Sequence, residues 1–164
     1  MKIYIASDHA GYKLKGSLIP YIKSLGFNVI DKGPYEYDPD DDYPDFCKEV
    51  AIAVTNDLEN NFGIIIGGGG QGEAIVANRI KNIRATVFYG PRQAVEAVDI
   101  LGKQSIDPYE PVKLAREHNN ANILSIGARF VSDDEAKQAV KIFLETPFSG
   151  DERHVRRIKK IDNL

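Results

Sequence analysis

The segment Gly67-Gly68-Gly69-Gly70-Gln71-Gly72 places five glycines in six positions directly before Glu73. With no side chains in the way, the backbone N–H groups of such a loop can come close to a ligand oxygen. They can hold a phosphate or a developing oxyanion. The simpler alternative is a tight turn that only permits close packing. The loop is not a nucleotide P-loop, because no Lys-Ser/Thr pair follows. It also fits the dinucleotide fingerprint badly, since that motif belongs after a first strand. Glu73 admits two readings. In the first turn of a helix, a carboxylate complements the helix dipole by about 0.3–1 kcal/mol. Beside an oxyanion nest, it also stands where a proton-abstracting base is needed.

The chain holds three histidines. His9 follows Asp8 at the end of the first apolar run, His118 lies in Ala115-Arg116-Glu117-His118-Asn119-Asn120-Ala121-Asn122, and His154 lies in the basic tail. None falls on an obvious apolar stripe. Arg153–Lys160 carries five basic residues and one histidine in eight positions. It reads as a solvated helix end, as a nucleic-acid contact without aromatic interleaving, or as an anion clamp. For the clamp, Arg153 and Arg157 lie one helical turn apart and can face one phosphate.

Short apolar runs alternate with amphipathic stretches and must position these groups. The expected strands are Lys2–Ala6, Phe27–Ile30, Gly63–Ile66, Ala85–Phe88 and Asn122–Ile126. Helical spacing predicts helices over Lys13–Leu25, Phe46–Thr55, Glu73–Ile80, Arg92–Leu101 and Asp133–Leu144. Gly26 stands at the C-cap position of the first helix. Tyr35–Asp45, acidic and holding Pro39 and Pro44, reads as a loop, as does the stretch through Pro108 and Pro111. Continuous apolar strands between helices argue a parallel sheet covered on both faces, a doubly wound, three-layer Rossmann-like α/β fold of about five strands. Ligands bind such sheets beyond the carboxyl ends of the strands. Here those ends are Ser7-Asp8-His9, Gly67–Gly72 and Gly127–Arg129.

The 164 residues are expected to form one domain, 1–164. A net charge of −3 disfavours bulk nucleic-acid binding. Cys47 is the single cysteine, so an intramolecular disulfide and multi-cysteine zinc sites are excluded. No apolar run reaches the ~20 residues of a membrane helix, and Met1–Ala6 reads as a strand rather than a signal peptide. The expected compartment is the cytoplasm.

Four segments together resemble the ribose-5-phosphate isomerase type B family, which includes the galactose-6-phosphate isomerase subunits. They are Ser7-Asp8-His9-Ala10-Gly11, then Gly67–Glu73 with Ala77-Asn78-Arg79, then Ala115–Asn122 with Gly127-Ala128-Arg129, and last Phe148–Arg157. The resemblance covers most of the chain. It implies an aldose–ketose isomerase that works without metal or cofactor. The reaction would interconvert ribose 5-phosphate and ribulose 5-phosphate through an enediolate. His118 matches the ring-opening histidine, with Asp8 and Asn119 near the sugar hydroxyls. Many members place a cysteine base where this chain has Gly67; a second subgroup uses a glutamate at the position of Glu73. The amides of Gly68, Gly69, Gly70, Gln71 and Gly72 would stabilise the enediolate oxygen. Arg129, Arg153 and Arg157 match phosphate-binding positions, with His9 and His154 assisting, and Tyr43 resembles a residue of the sugar pocket. The family builds its site between two subunits. This implies a homodimer, which can pair into a tetramer, with the helical tail 145–164 packed on the partner.

Two departures matter. Many members carry Ser or Thr where this chain has Gly69, so backbone amides must do the work of that hydroxyl. Pro91–Tyr109 adds about 15 residues to the family pattern, at a place where loops tolerate insertion. That segment keeps open a hexose 6-phosphate substrate of galactose or allose type. The missing cysteine and hydroxyl also keep open a non-catalytic sugar-phosphate-binding protein. The joint presence of Asp8, Glu73, His118 and the arginines argues against it.

Overall fold

A computed structural model describes residues 1–164. The elements run β1 Lys2–Ser7, α1 Tyr12–Ser24, β2 Asn28–Asp31, α2 Tyr43–Thr55, β3 Asn61–Gly67, α3 Gln71–Ala77, β4 Ala85–Phe88, α4 Glu110–Asn119, β5 Ile123–Gly127, α5 Asp133–Glu145 and α6 Glu152–Ile161. The five strands form one parallel sheet in the order β2-β1-β3-β5-β4. No helix is long and apolar enough to cross a membrane.

Successive strand residues point to opposite faces, so each strand feeds two cores. Ile3, Ile5, Ile64, Ile66, Leu124 and Ile126 pack under Leu18 and Ile22 of α1, Val112 and Ala115 of α4, and Ala139, Val140 and Phe143 of α5. Tyr4, Ala6, Ile65 and Ile123 face Cys47, Val50, Ala51 and Val54 of α2 and Ala77 of α3. Helices therefore cover both faces, and this explains why the strands read as continuous apolar runs.

Local signals fix most boundaries. Gly26 has φ +90, with its N–H bonded to Lys23 O and the Phe27 N–H bonded to Ile22 O, a Schellman stop for α1. Ser132 and Glu135 form a reciprocal capping box at the start of α5. Pro44, expected in a loop, instead stands in the first turn of α2, where a missing N–H costs nothing, so α2 begins at Tyr43.

Two expectations fail between β4 and β5. Arg92–Leu101 forms no helix. Its period-three apolar residues have nothing to pack on: Val95 is 86% exposed and Leu101 89%. The Asp99 carboxylate instead accepts the N–H groups of Leu101 (2.8 Å) and Lys103 (3.0 Å), a local turn that competes with helix. The following stretch, read as a loop from its prolines, contains α4. Pro111 sits in its first turn, and Asp107 accepts the Tyr109 N–H at 2.9 Å.

Strand order decides what meets. β1, β3 and β5 are neighbours, with Ser7 beside Ile66 and Gly67 beside Gly127. The three polar strand ends picked out by sequence thus leave the sheet side by side. From β1 the chain goes out to β2, and from β3 it goes the other way, which opens the crevice where such folds bind ligands.

Candidate functional site

The first cluster forms at this carboxyl edge. The Asp8 N–H donates to Ile66 O (3.0 Å), and its buried carboxylate accepts the Gly11 N–H (2.9 Å), which starts α1. Gly11 has no room for a side chain, since a Cβ there would lie 2.5 Å from Ile66 O.

The glycine loop is held by its carbonyls. Gly67 O accepts the Ala128 N–H (2.8 Å), Gly68 O the Arg129 N–H (3.2 Å), and Gly70 O the buried Ser125 hydroxyl (2.6 Å). The N–H groups of Gly68 and Gly69 have no intramolecular acceptor. Those of Gln71 and Gly72 open α3, where a helix has no acceptors of its own. Gly70 takes φ +81, a conformation that suits glycine, and turns the chain into α3. A fixed loop with N–H donors that lack internal acceptors is suited to hold an anion.

Glu73 is 4% exposed. Its carboxylate fills the space that a side chain at Gly67 would take. Burial raises its pKa above the ordinary carboxylate value, and the negative charge of Asp8 raises it further. The Glu73 and Gly70 N–H groups oppose this. A raised pKa suits a group that must both take and return a proton near neutral pH.

Other predicted residues line the same crevice. The Tyr43 hydroxyl lies 2.9 Å from where a Gly72 Cβ would stand, so Gly72 makes room for that ring. The Arg129 guanidinium lies over Gly68, 3.2 Å from its virtual Cβ, and the Gln71 side chain folds back over Gly69. His9 Nδ1 lies 2.7 Å from Asp41 Oδ1. That hydrogen bond raises the imidazole pKa, burial opposes it, Asp8 adds to the rise and Arg129 works against it. Asp41 was missed from sequence. Its only signal is its place in the acidic run Asp38–Asp42, where its neighbours look equivalent.

The second cluster is elsewhere. His118 and His154 stack with ring centroids 4.2 Å apart and an interplanar angle of 13°. His154 is buried, and Arg153 Nε donates to its Nε2 at 3.2 Å, so the ring is neutral with its proton on Nδ1. Burial, the neighbouring His118 and Arg153 lower its pKa in keeping with this. Asn119, Arg153, His154 and Arg157 share a cleft of about 370 Å³ with His118 and Ala97–Ile100.

The two clusters cannot serve one substrate within one chain. His118 and Asn119 end α4 just before β5 begins at Ile123, at the amino edge of the sheet. Gly127 and Arg129 lie past the other end of that strand, roughly 15 Å away at about 3.3 Å per residue. No hydrogen bond, ion pair or ring contact joins the two groups.

Cys47 lies under the first cluster and takes no part in it. It is fully buried on α2, and burial pushes its thiol pKa far up. No three His, Cys, Asp or Glu side chains converge as metal ligands.

The sequence profile of the Ribose/Galactose Isomerase family matches residues 3–104 and 100–161. This chain belongs to that family. The two matched pieces overlap inside Pro91–Tyr109. Ribose-5-phosphate isomerase B of Mycobacterium tuberculosis is 39% identical over 158 residues, 96% of this chain and 86% of that one. The Escherichia coli protein of the same name is 34% identical over 160 residues, 98% and 93% of the two chains. Among solved structures, ribose-5-phosphate isomerase B of Mycoplasma genitalium with bound ribulose-5-phosphate superposes with a TM-score of 0.85 at 38% identity. That match covers 99% of this chain and 94% of that one. The Clostridium thermocellum family member gives 0.83 at 38% identity, covering 99% and 96%.

Proposed function

We propose that this protein interconverts ribose 5-phosphate and ribulose 5-phosphate through an enediolate, at a site shared by two copies of the chain. The observation that carries the reading is the buried Glu73 carboxylate, its pKa raised by burial and by Asp8, beside a fixed loop whose Gly68 and Gly69 N–H groups have no internal acceptor. Membership of the isomerase family and the ligand named for the Mycoplasma genitalium structure point to the same substrate class.

The chemistry follows from the groups. His118 takes the proton of the anomeric hydroxyl and returns it to the ring oxygen as the bond between C1 and that oxygen breaks, which opens the sugar. Glu73 then takes the proton from C2 of the open aldose. The carbonyl oxygen at C1 gains the charge, and the amides of Gly68, Gly69, Gln71 and Gly72 receive it, while that of Gly70 stays with the Glu73 carboxylate. Proton transfer between the oxygens and return of the Glu73 proton to C1 give the ketose. Asp8, Tyr43 and Asn119 hold the hydroxyls. The phosphate is held by Arg129 and His9 of one copy and by Arg153 and Arg157 of the other, with His154 backing Arg153. This fixes the reacting carbons against the base. Because Glu73 and His118 stand at opposite edges of one sheet, the reading requires a homodimer. The expected packing of tail 145–164 on the partner fits this, since α6 carries the two phosphate arginines.

The test is incubation of ribose 5-phosphate with the protein in deuterated water containing EDTA. Ketose should form with deuterium at C1, at a rate the chelator does not reduce. Folded protein that forms no ketose would overturn the reading and move attention to hexose 6-phosphates, the substrate the added Pro91–Tyr109 segment keeps open.

A further inference from the structure

The Pro91–Tyr109 segment is a closed loop with an unusual surface. Its neck is fastened by the Arg92 N–H to Pro108 O (2.7 Å), and its tip by the Val98 N–H to Lys103 O (2.8 Å). Ser105 Oγ to the buried Glu110 (2.8 Å) ties its descending limb to α4. The loop is thus a built element rather than a slack connection. Val95, Ile100, Leu101 and Ile106 are 86%, 77%, 89% and 84% exposed. Four aliphatic side chains this exposed in so short a stretch mark a surface that something covers.

The tip also has a place. Val98, Asp99 and Ile100 wall the cleft that holds His118, Asn119, Arg153 and Arg157, and Asp99, Ile100 and Leu101 wall an adjoining cleft that shares His118 and Arg153. The Asp99 carboxylate accepts from Leu101 and Lys103, which shapes the tip, and its charge also acts on Arg153 across the cleft. If His118 meets the Glu73 of a second copy, that copy must arrive over this cleft. The apolar tip then lies against it, at the wall of the shared site.

We propose that the tip Val98–Leu101 is the substrate-length determinant of this enzyme. It is covered by the second copy and closes the space between His118 and the phosphate arginines, so that a five-carbon phosphate fits and a six-carbon one is crowded. The proposal rests on the isomerase reading above. It concerns residues specific to the added segment, where the family match divides. One extra carbon in a closed pocket changes discrimination by about ten- to two-hundred-fold.

The test compares kcat/KM for ribose 5-phosphate and for allose 6-phosphate in the parent and in two variants. In the first, Gly-Gly replaces Asp99–Gly102, across ends already closed by the Val98–Lys103 hydrogen bond. The second, Ile100→Ala, changes an exposed side chain and leaves the core untouched. The parent should favour the pentose. The shortened tip should reduce that preference about tenfold, chiefly through a lower KM for the hexose. Ile100→Ala should move it the same way by less. An unchanged ratio in folded variants, or a parallel fall on both substrates, would overturn the proposal. A parent inactive on ribose 5-phosphate would instead overturn the isomerase reading, so the two failures are distinct.

Discussion

The Glu73 carboxylate occupies the volume that a side chain at Gly67 would need. The two positions therefore cannot both project a reactive group into the crevice without rearrangement. The last residue of β3 is bare, and the carboxylate six residues later reaches back over it. This is a physical reason for the pairing of glycine at 67 with glutamate at 73.

Gly67→Ala should thus displace Glu73 without abolishing the fold. The added methyl meets a carboxylate rather than backbone, and the strand conformation at Gly67 suits alanine. The expected result is a fall in kcat of about 100-fold or more with KM changed little, since general-base catalysis contributes roughly 10²–10⁴. Steady-state kinetics with a thermal melt checks it; near-parental kcat would show that Glu73 does not need its present place.

Glu73→Gln keeps the shape and removes the group proposed as base. Turnover should fall about 10³-fold, while binding of a non-reacting sugar phosphate, read by calorimetry, stays near the parental value. Retained turnover would remove Glu73 from the mechanism.

The same substitution should raise stability at neutral pH. The folded pKa of Glu73 lies above its unfolded value, so folding favours the protonated form. This group's contribution is fully present below the unfolded pKa and is lost as pH rises through the folded one. Glu73→Gln should melt higher than the parent at pH 7, by about 2–4 °C per kcal/mol recovered, and the gap should close in acid. In the parent, kcat/KM should fall on acidification through a pKa above the ordinary carboxylate range, because the base must start ionised. A gap that widens in acid would contradict the assigned shift.

Much of this was legible in the sequence because the signals are local. Gly26 and the continuous apolar strands mark elements by their own chemistry, and Gly67–Gly72 announces a close backbone approach. Arg92–Leu101 misled because its period-three apolar spacing imitates a helix face, and only the structure shows that nothing packs on it. α4 was hidden because Pro111 reads as a breaker until it is placed in a first turn. Asp41 is one of several equivalent acids until the fold brings it to His9. The distance between Glu73 and His118 was beyond residue spacing altogether. It follows from strand direction, which puts the end of α4 and the start of α3 at opposite edges of the sheet.

The measurement that bears most directly on the account mixes two inactive chains, Glu73→Gln and His118→Asn, co-expressed in equal amounts and assayed on ribose 5-phosphate. If each site joins Glu73 of one copy to His118 of the other, every mixed dimer holds one intact site. Random pairing in a two-fold dimer then restores about a quarter of the parental activity. Recovery near that level is the predicted result. Mixed dimers that form, as shown by dual-tag purification, yet remain as inactive as either variant alone would contradict it.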